Sequence, residues 1–374
     1  MNLALAFVPV AVCTAWTFLG TASVIDRVSA RGPAVAPDAL PPVSVLKPLC
    51  GADPSLEDNL ATFFTQGHPA YELVFGVERG DDPALAVVER LRARFPAVPV
   101  RVVVGGTLAG HNPKVRNLRA MLPHAAHDLV LISDSNVRAP RGYVASVAAV
   151  RAADPDVGIV TNLFVGTGGT GFGCALESVQ LAGFCAAGIA LPSALGDAVV
   201  VGKSMLLSRR ELDALGGLAR VADVLAEDYV LGKLYQHAGR RVVIAPVVIE
   251  NALGPMDLRS FTERHLRWAM MRFHLRPFAY LVEPLTSPLA VLPFAWHCLG
   301  PWAVPWAVLL LFVRDVLSSV ALKGMKELHR PLLYGWFREV VALGVWAAAP
   351  LRRHVSWRGN RVRVGAGTML FTKR

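Results

Sequence analysis

Residues 2–25, NLALAFVPVAVCTAWTFLGTASVI, carry no charged side chain, and no other feature limits the possible folds of this chain so strongly. A hydrocarbon core about 30 Å thick is crossed by roughly 20 apolar residues in a helix, so the run predicts a membrane helix over residues 1–26. A secretory signal would have a basic segment ahead of its apolar core, and none stands here. Asp26, Arg27 and Arg31 follow the run, which by the positive-inside rule puts the next residues in the cytoplasm.

A mean hydropathy of +0.44 over 374 residues asks for more membrane segments than one. A second apolar zone, SPLAVLPFAWHCLGPWAVPWAVLLLFV, is broken by Gly300-Pro301 and Pro305, which predicts a helical hairpin returning to the cytoplasm at Arg314. The basic stretch KGMKELHR supports that side. A third stretch, LLYGWFREVVALGVWAAAP, has Arg338 and Glu339 at its middle, where charge is expensive in lipid unless paired within a bundle. The expectation is a partly inserted or interfacial helix with a cytoplasmic tail. Residues 283–374 thus form a C-terminal membrane region with a basic tail.

Between these zones, β-rich runs alternate with helical patterns, the signature of an α/β sheet covered by helices. Strands are expected at VSVL, ELVFGV, VRVVV, LVLIS, VGIVTNLFV and VVIAPVV. Asp53-Pro54 and Asp82-Pro83 each read as an N-cap followed by a first-turn proline. The catalytic domain is placed at 40–280. The five cysteines form no CxxC pair, so neither a zinc site nor a disulfide framework is indicated. The net charge of +10 favours an anionic partner without choosing among nucleic acid, lipid headgroups and a sugar nucleotide.

Ligands of such sheets bind beyond the carboxyl ends of the strands. Lys47 follows VSVL, Glu78 to Asp82 follow ELVFGV, Gly105 to Lys114 follow VRVVV, and Asp134 follows LVLIS. In DLVLISDSNVRAP, Asp134 with Asn136 two residues on can place oxygens on a hard cation whose shell is completed by phosphate and water; equally, Asp134 can cap a turn. In LAEDYVLGK, Glu227 and Asp228 open a helix; acids there also complement its dipole. ERHLRWAMMRF carries Arg264, Arg267 and Trp268 on an amphipathic helix, over about 257–275, suited to a membrane interface. GTGGTG, Gly166 to Gly171, satisfies a dinucleotide pattern but comes in the fifth strand and lacks the ribose-binding acid.

Taken together, VSVLKPLCGADPSLEDNLATFF, DDPA, GHNPKVRNL, ISDSNVR, AEDYVLGK, RHLRW and SWRGNRVRV resemble the ceramide glucosyltransferase family, inverting enzymes of GT-A fold, from about Val43 to the C-terminus. The resemblance implies a GT-A domain with N-terminal and C-terminal transmembrane helices. It implies transfer of a sugar from a UDP-sugar, UDP-glucose first, to a membrane lipid hydroxyl, with Mg²⁺ or Mn²⁺ and without nucleic acid. By position, Asp82 and Lys114 would hold the nucleotide donor with Lys47, Arg264 and Arg267, and Asp134 the metal. Asn136 stands where the broader superfamily has a second acid. Asp228 would be the general base beside Glu227, and Trp268 would meet the acceptor. The expected location is a multi-pass protein of a bacterial inner membrane, catalytic side cytoplasmic. The alternatives are N-acetylglucosaminyl transfer to a hopanoid polyol and a processive polysaccharide synthase, the latter calling for more membrane helices than are visible here.

Overall fold

In the computed structural model the described residues are 2–53, 55–105, 108–352, 354–357 and 360–371. The chain divides into two compact units: residues 29–164 with 195–254, and residues 1–28 with 165–194 and 255–374.

The first unit is built on a sheet of eight strands: β1 Val43–Pro48, β2 Tyr71–Val77, β3 Val100–Val104, β4 Leu129–Ile132, β5 Val137–Arg138, β6 Val157–Thr167, β7 Met205–Ser208 and β8 Arg241–Ala252. Their order is β3-β2-β1-β4-β7-β6-β8-β5. The half from β3 to β4 is parallel, while β4 with β7, β6 with β7 and β5 with β8 pair antiparallel. Of the parallel strands, β1, β2 and β4 are buried on both faces, which is why they read as largely apolar runs, while β3 at the edge is partly exposed. The core joins Leu46, Val74, Val130 and Ile132 of the sheet to Val115, Leu118 and Met121 of helix Pro113–Met121.

Four details depart from the sequence reading. β1 continues through Lys47 to Pro48 rather than ending with VSVL, and Lys47 is fully buried. The first helix after β1 starts at Leu56 with Ser55 in the cap position, so Asp53 is not its cap; Pro54 lies outside the described residues. The next helix, Ala84–Arg94, has Pro83 in the cap position, yet the Asp82 carboxylate still accepts the Ala84 N–H at 2.9 Å. The strands β5 and β7 were not anticipated.

Among its described residues the second unit contains four helical segments long and apolar enough to cross a membrane: Leu3–Ser29, Phe172–Ala194, Pro288–Lys323 and His329–Leu351. The Phe172–Ala194 segment is an addition, since the sequence reading left it within the catalytic domain. Pro288–Lys323 folds back on itself at the Gly300–Trp302 turn, where Gly300 adopts φ +56°, and its two arms pack together. Trp306 Nε1 donates to Thr14 Oγ1 at 3.1 Å, tying the second arm to the N-terminal helix. The second arm runs on as helix past Arg314 to Lys323. Arg314 is buried, as are Asp315, Arg338 and Glu339. The tail forms a three-stranded antiparallel sheet, His354–Trp357, Asn360–Val364 and Leu370–Phe371; Arg358 and Gly359 of the SWRGNRVRV motif lie outside the described residues.

Candidate active site

The tip of β4 gathers a network of charge within the first unit. Ser133 is buried directly after the strand, and Asp134 follows half-exposed. Lys47 reaches the tip from beneath, donating to Ser133 Oγ at 3.2 Å and to the Asp134 carbonyl at 2.6 Å, with its ammonium 3.6 Å from the Phe63 ring centre. Burial pushes Lys47 well below its ordinary pKa, against the attraction of Asp134.

Lys114 enters from the start of helix Pro113–Met121. That helix begins where it does because Pro113 occupies the first turn and Asn112 Oδ1 accepts the Val115 N–H at 3.1 Å. Lys114 Nζ lies 2.9 Å from Asp134 Oδ1 and 3.0 Å from Glu227 Oε1, and it donates to the Gly202 carbonyl at 2.8 Å. Burial alone would lower its pKa, but Asp134 and Glu227 raise it above the usual lysine range. Burial would likewise raise Asp134, but Lys114 and Lys203 hold its carboxyl below the usual carboxylate range.

A tight turn completes the site. Ser204 N donates to the Val201 carbonyl at 3.0 Å, leaving Gly202 and Lys203 at the tip. Lys203 Nζ donates to Asn136 Oδ1 at 3.0 Å and lies 3.6 Å from Asp134 Oδ2. The amide at Asn136 therefore serves as an acceptor for a lysine. Gly202 N donates to Asp228 Oδ2 at 2.7 Å. A Cβ on Gly202 would stand 2.7 Å from that oxygen, so only glycine lets the turn approach the carboxylate. Buried hydrogen bonds hold the turn in place: Ser204 Oγ donates to Asn162 Oδ1 at 2.6 Å and meets Tyr143 Oη at 2.7 Å, while Thr161 Oγ1 donates to the Ser204 carbonyl at 2.8 Å.

Asp228 sits in the first turn of helix Glu227–His237, accepting also its neighbour Tyr229 N–H at 2.8 Å. Its carboxyl is pushed up to about 6, first by burial and then by the adjacent Glu227, against the pull of Lys114. The Glu227 carboxylate is buried and receives Lys114 and, at 3.3 Å, Asn112 Nδ2.

The structure thus joins Lys47, Lys114, Asp134 and Glu227 through direct contacts, and ties Asn136 and Asp228 to them through Lys203 and Gly202. Asp82 makes its hydrogen bonds elsewhere in the unit, accepting Gly51 N–H at 3.1 and 3.0 Å across the ends of β1 and β2. Arg264, Arg267 and Trp268 belong to helix Leu258–Leu275 of the other unit. There Arg264 Nε lies 3.0 Å from Glu177 Oε1, His265 Nε2 lies 2.5 Å from Glu177 Oε2, and the Arg264 guanidinium stands 5.0 Å over the Trp268 ring. Burial, then repulsion from Arg264, lowers Arg267 to about 10, where it is still charged at neutral pH.

Sequence reasoning missed Gly202 and Lys203. The available signal was a lysine interrupting the apolar run AVVVGKSMLL.

No three His, Cys, Asp or Glu side chains converge as a metal site among the described residues. Asp134 with Asn136 supplies one carboxylate and one amide oxygen. Such a set fits a Mg²⁺-type ion, which takes most of its ligands from water and phosphate, sharing Asp134 with the two ammonium groups.

The profile of glycosyl transferase family 21 matches residues 4–370. Ceramide glucosyltransferase 3 of Caenorhabditis elegans is 29% identical over 344 residues, covering 89% of this chain and 75% of that protein. Ceramide glucosyltransferase 1 of the same organism is 28% identical, covering 91% and 75%. The ceramide glucosyltransferase of Komagataella phaffii is 24% identical, covering 93% and 87%. Among solved structures, a mannosyltransferase from Pyrobaculum calidifontis in complex with GDP-Man and Mn²⁺ superposes with a TM-score of 0.54 at 20% identity, covering 94% of this chain and 99% of that one. That likeness is one of fold, and the mixed sheet is the GT-A arrangement the resemblance implied. With the profile matched over nearly its whole length, the chain belongs to glycosyl transferase family 21 and is a hexosyltransferase.

Proposed function

We propose that the chain moves a sugar from a UDP-sugar, UDP-glucose being the first donor to test, to the hydroxyl of a membrane lipid such as ceramide, with inversion. The names of the relatives support the lipid acceptor, and the apolar helices support a multi-pass protein. Arg27, Arg31 and the basic stretch around Lys323 and Lys326 support a cytoplasmic catalytic side, in a bacterial inner membrane.

The observation that carries this reading is Asp228: a half-buried carboxylate with a pKa near 6, fixed by the Gly202 N–H and set beside a lysine-bridged Asp134. Inversion is one in-line displacement, so a base must take the lipid hydroxyl's proton on the face opposite the leaving nucleotide. Asp228 has a pKa that leaves it ionised at neutral pH yet able to hold the proton in passing. Glu227, locked onto Lys114, raises the basicity of its neighbour by repulsion. Lys114 and Lys203 present fixed positive charge where a diphosphate would develop negative charge as the bond to the sugar breaks, a preorganised stabilisation. Lys47 works from beneath, orienting Asp134 through its carbonyl. Asp134 with Asn136 would hold Mg²⁺ or Mn²⁺, which when bound would add Lewis-acid neutralisation of the leaving diphosphate. Asp82 is assigned to the nucleotide end, Arg264 and Arg267 to the donor, and Trp268 to the acceptor; the Arg264–Trp268 stack supports treating these last as one element.

The test is Asp228→Asn. Loss of a positioned base costs about 10²–10⁴ in kcat, so acceptor-dependent UDP release should fall by that factor while UDP affinity by calorimetry stays at the wild-type value. Retained turnover would move the base to another residue.

A further inference from the structure

Within the helical unit lies a cavity of about 40 Å³ that the reaction scheme above leaves unused. By the volume a buried water occupies, it has room for about three water-sized groups. Its walls are of two kinds. One is apolar, with the aromatic Phe184, Phe261 and Trp346 beside Ala342, and the other is polar, including Gln180, Arg338 and the Arg272–Glu283 pair, bonded at 2.9 and 2.9 Å.

Two buried polar atoms that lack a hydrogen-bond partner belong to residues of this wall: Gln180 Oε1, on a side chain 5% exposed, and Arg338 Nε, on one 1% exposed. One is an acceptor and the other a donor, and leaving such atoms unmade is costly in an apolar setting. Gln180 immediately precedes a π-helical turn, Leu181–Cys185, and the adjoining Arg314 sits in a second, Phe312–Leu317. Turns of this type recur at ligand sites because they widen a helix locally.

The charge balance states what can bind. Arg314 Nε lies 2.9 Å from Asp315 Oδ1 and Arg314 Nη2 2.7 Å from Glu339 Oε2, while Arg338 reaches Asp315 at 2.6 Å and Glu339 at 2.5 Å. With Arg272 and Glu283, three guanidinium groups face three carboxylates. The wall offers an unmade donor and an unmade acceptor and no net charge, so an anionic headgroup gains nothing there. A neutral amide or hydroxyl satisfies both atoms, and the aromatic wall suits the hydrocarbon beside it.

We propose that this cavity binds the non-reacting polar group, an amide or secondary hydroxyl, of an uncharged membrane lipid, and so anchors the acceptor while its primary hydroxyl remains free to react. This rests on the reading of the chain as a lipid glycosyltransferase.

The test uses the full-length protein in nanodiscs with a ceramide bearing a diazirine and an alkyne near its amide. Photolysis should label peptides containing Phe184, Phe261 or Trp346. Unlabelled ceramide or a polyhydroxylated hopanoid should compete, the effective one naming the source, while phosphatidylglycerol should not. Ala342→Phe, which fills the cavity, should abolish this labelling and raise the KM for ceramide at least tenfold, leaving the KM for UDP-glucose and UDP affinity unchanged. Gln180→Leu, which removes the acceptor without filling space, should raise the ceramide KM about three- to tenfold. Labelling elsewhere, equal competition by phosphatidylglycerol, or ceramide turnover with a wild-type KM in both variants overturns the cavity assignment. Labelling at the cavity with no turnover of any lipid would instead overturn the glycosyltransferase reading and leave the cavity standing.

Discussion

Two networks of buried charge, one at the tip of β4 and one among the apolar helices, are built from the same kinds of side chain and finish in opposite states. Around Asp134 the charges are incompletely matched: Lys47, Lys114 and Lys203 surround one carboxylate, Glu227 serves Lys114, and Asp228 is left with a pKa near 6. Among the helices, Arg314, Asp315, Arg338 and Glu339 pair every carboxylate with two guanidiniums. The open network keeps a titratable group and positive charge in reserve, which is what proton transfer to a base and release of a diphosphate require. The closed one pairs its charges with one another; what it retains is a hydrogen-bond donor without a partner at Arg338 Nε.

That contrast can be broken from the closed side first. Removing one member of a buried ion cluster strands the others, at a cost of about 3–5 kcal/mol. Asp315 is also seated against glycines: a Cβ on Gly183 would lie 2.2 Å from Asp315 Oδ1, and one on Gly335 3.2 Å from Oδ2. Asp315→Ala should therefore lower the detergent-solubilised protein's unfolding temperature steeply or prevent its accumulation, while Asp228→Asn, which relieves repulsion, should unfold at or above the wild-type temperature. Equal behaviour of the two would erase the distinction.

A smaller effect is expected from Lys203→Met. Losing the ammonium beside Asp134 and Asn136 should lower kcat/KM for the UDP-sugar about 10- to 100-fold, equivalent to about 1.4–2.7 kcal/mol of transition-state stabilisation. Lys203→Arg should recover part of it, as a charge effect would and a packing effect would not.

The smallest and sharpest is the pH profile. Asp228 must be ionised to act, and its pKa is raised, so kcat/KM should rise about tenfold per pH unit below about 6 and level off above it. The residual activity of Asp228→Asn should lack that limb.

Much of the first network could be read along the chain, because strands buried on both faces advertise themselves as apolar runs and their ends mark where polar residues collect. Asp134 at the end of LVLIS and the acids opening helix Glu227–His237 were visible in that way. The reason for an amide at Asn136 was not, since its partner Lys203 is 67 positions away and no local pattern links them. β5 and β7 were missed because strands of two and four residues carry almost no periodicity. Phe172–Ala194 escaped notice as an apolar helix because Glu177 and Gln180 interrupt it; Glu177 is met by Arg264 and His265, which lie almost 90 residues on. That Arg338 and Glu339 would be paired within a bundle was hidden for the same reason: their partners, Arg314 and Asp315, come from another segment.

The most direct test of the central claim is mass spectrometry of the lipids formed by purified protein in mixed micelles with UDP-glucose and ceramide, with and without EDTA. The account predicts a hexosylceramide in amounts equal to the UDP released, reduced by EDTA and formed about 10²–10⁴-fold more slowly with Asp228→Asn. UDP release without a glycosylated lipid, or a hexosylceramide formed equally by Asp228→Asn, would contradict it.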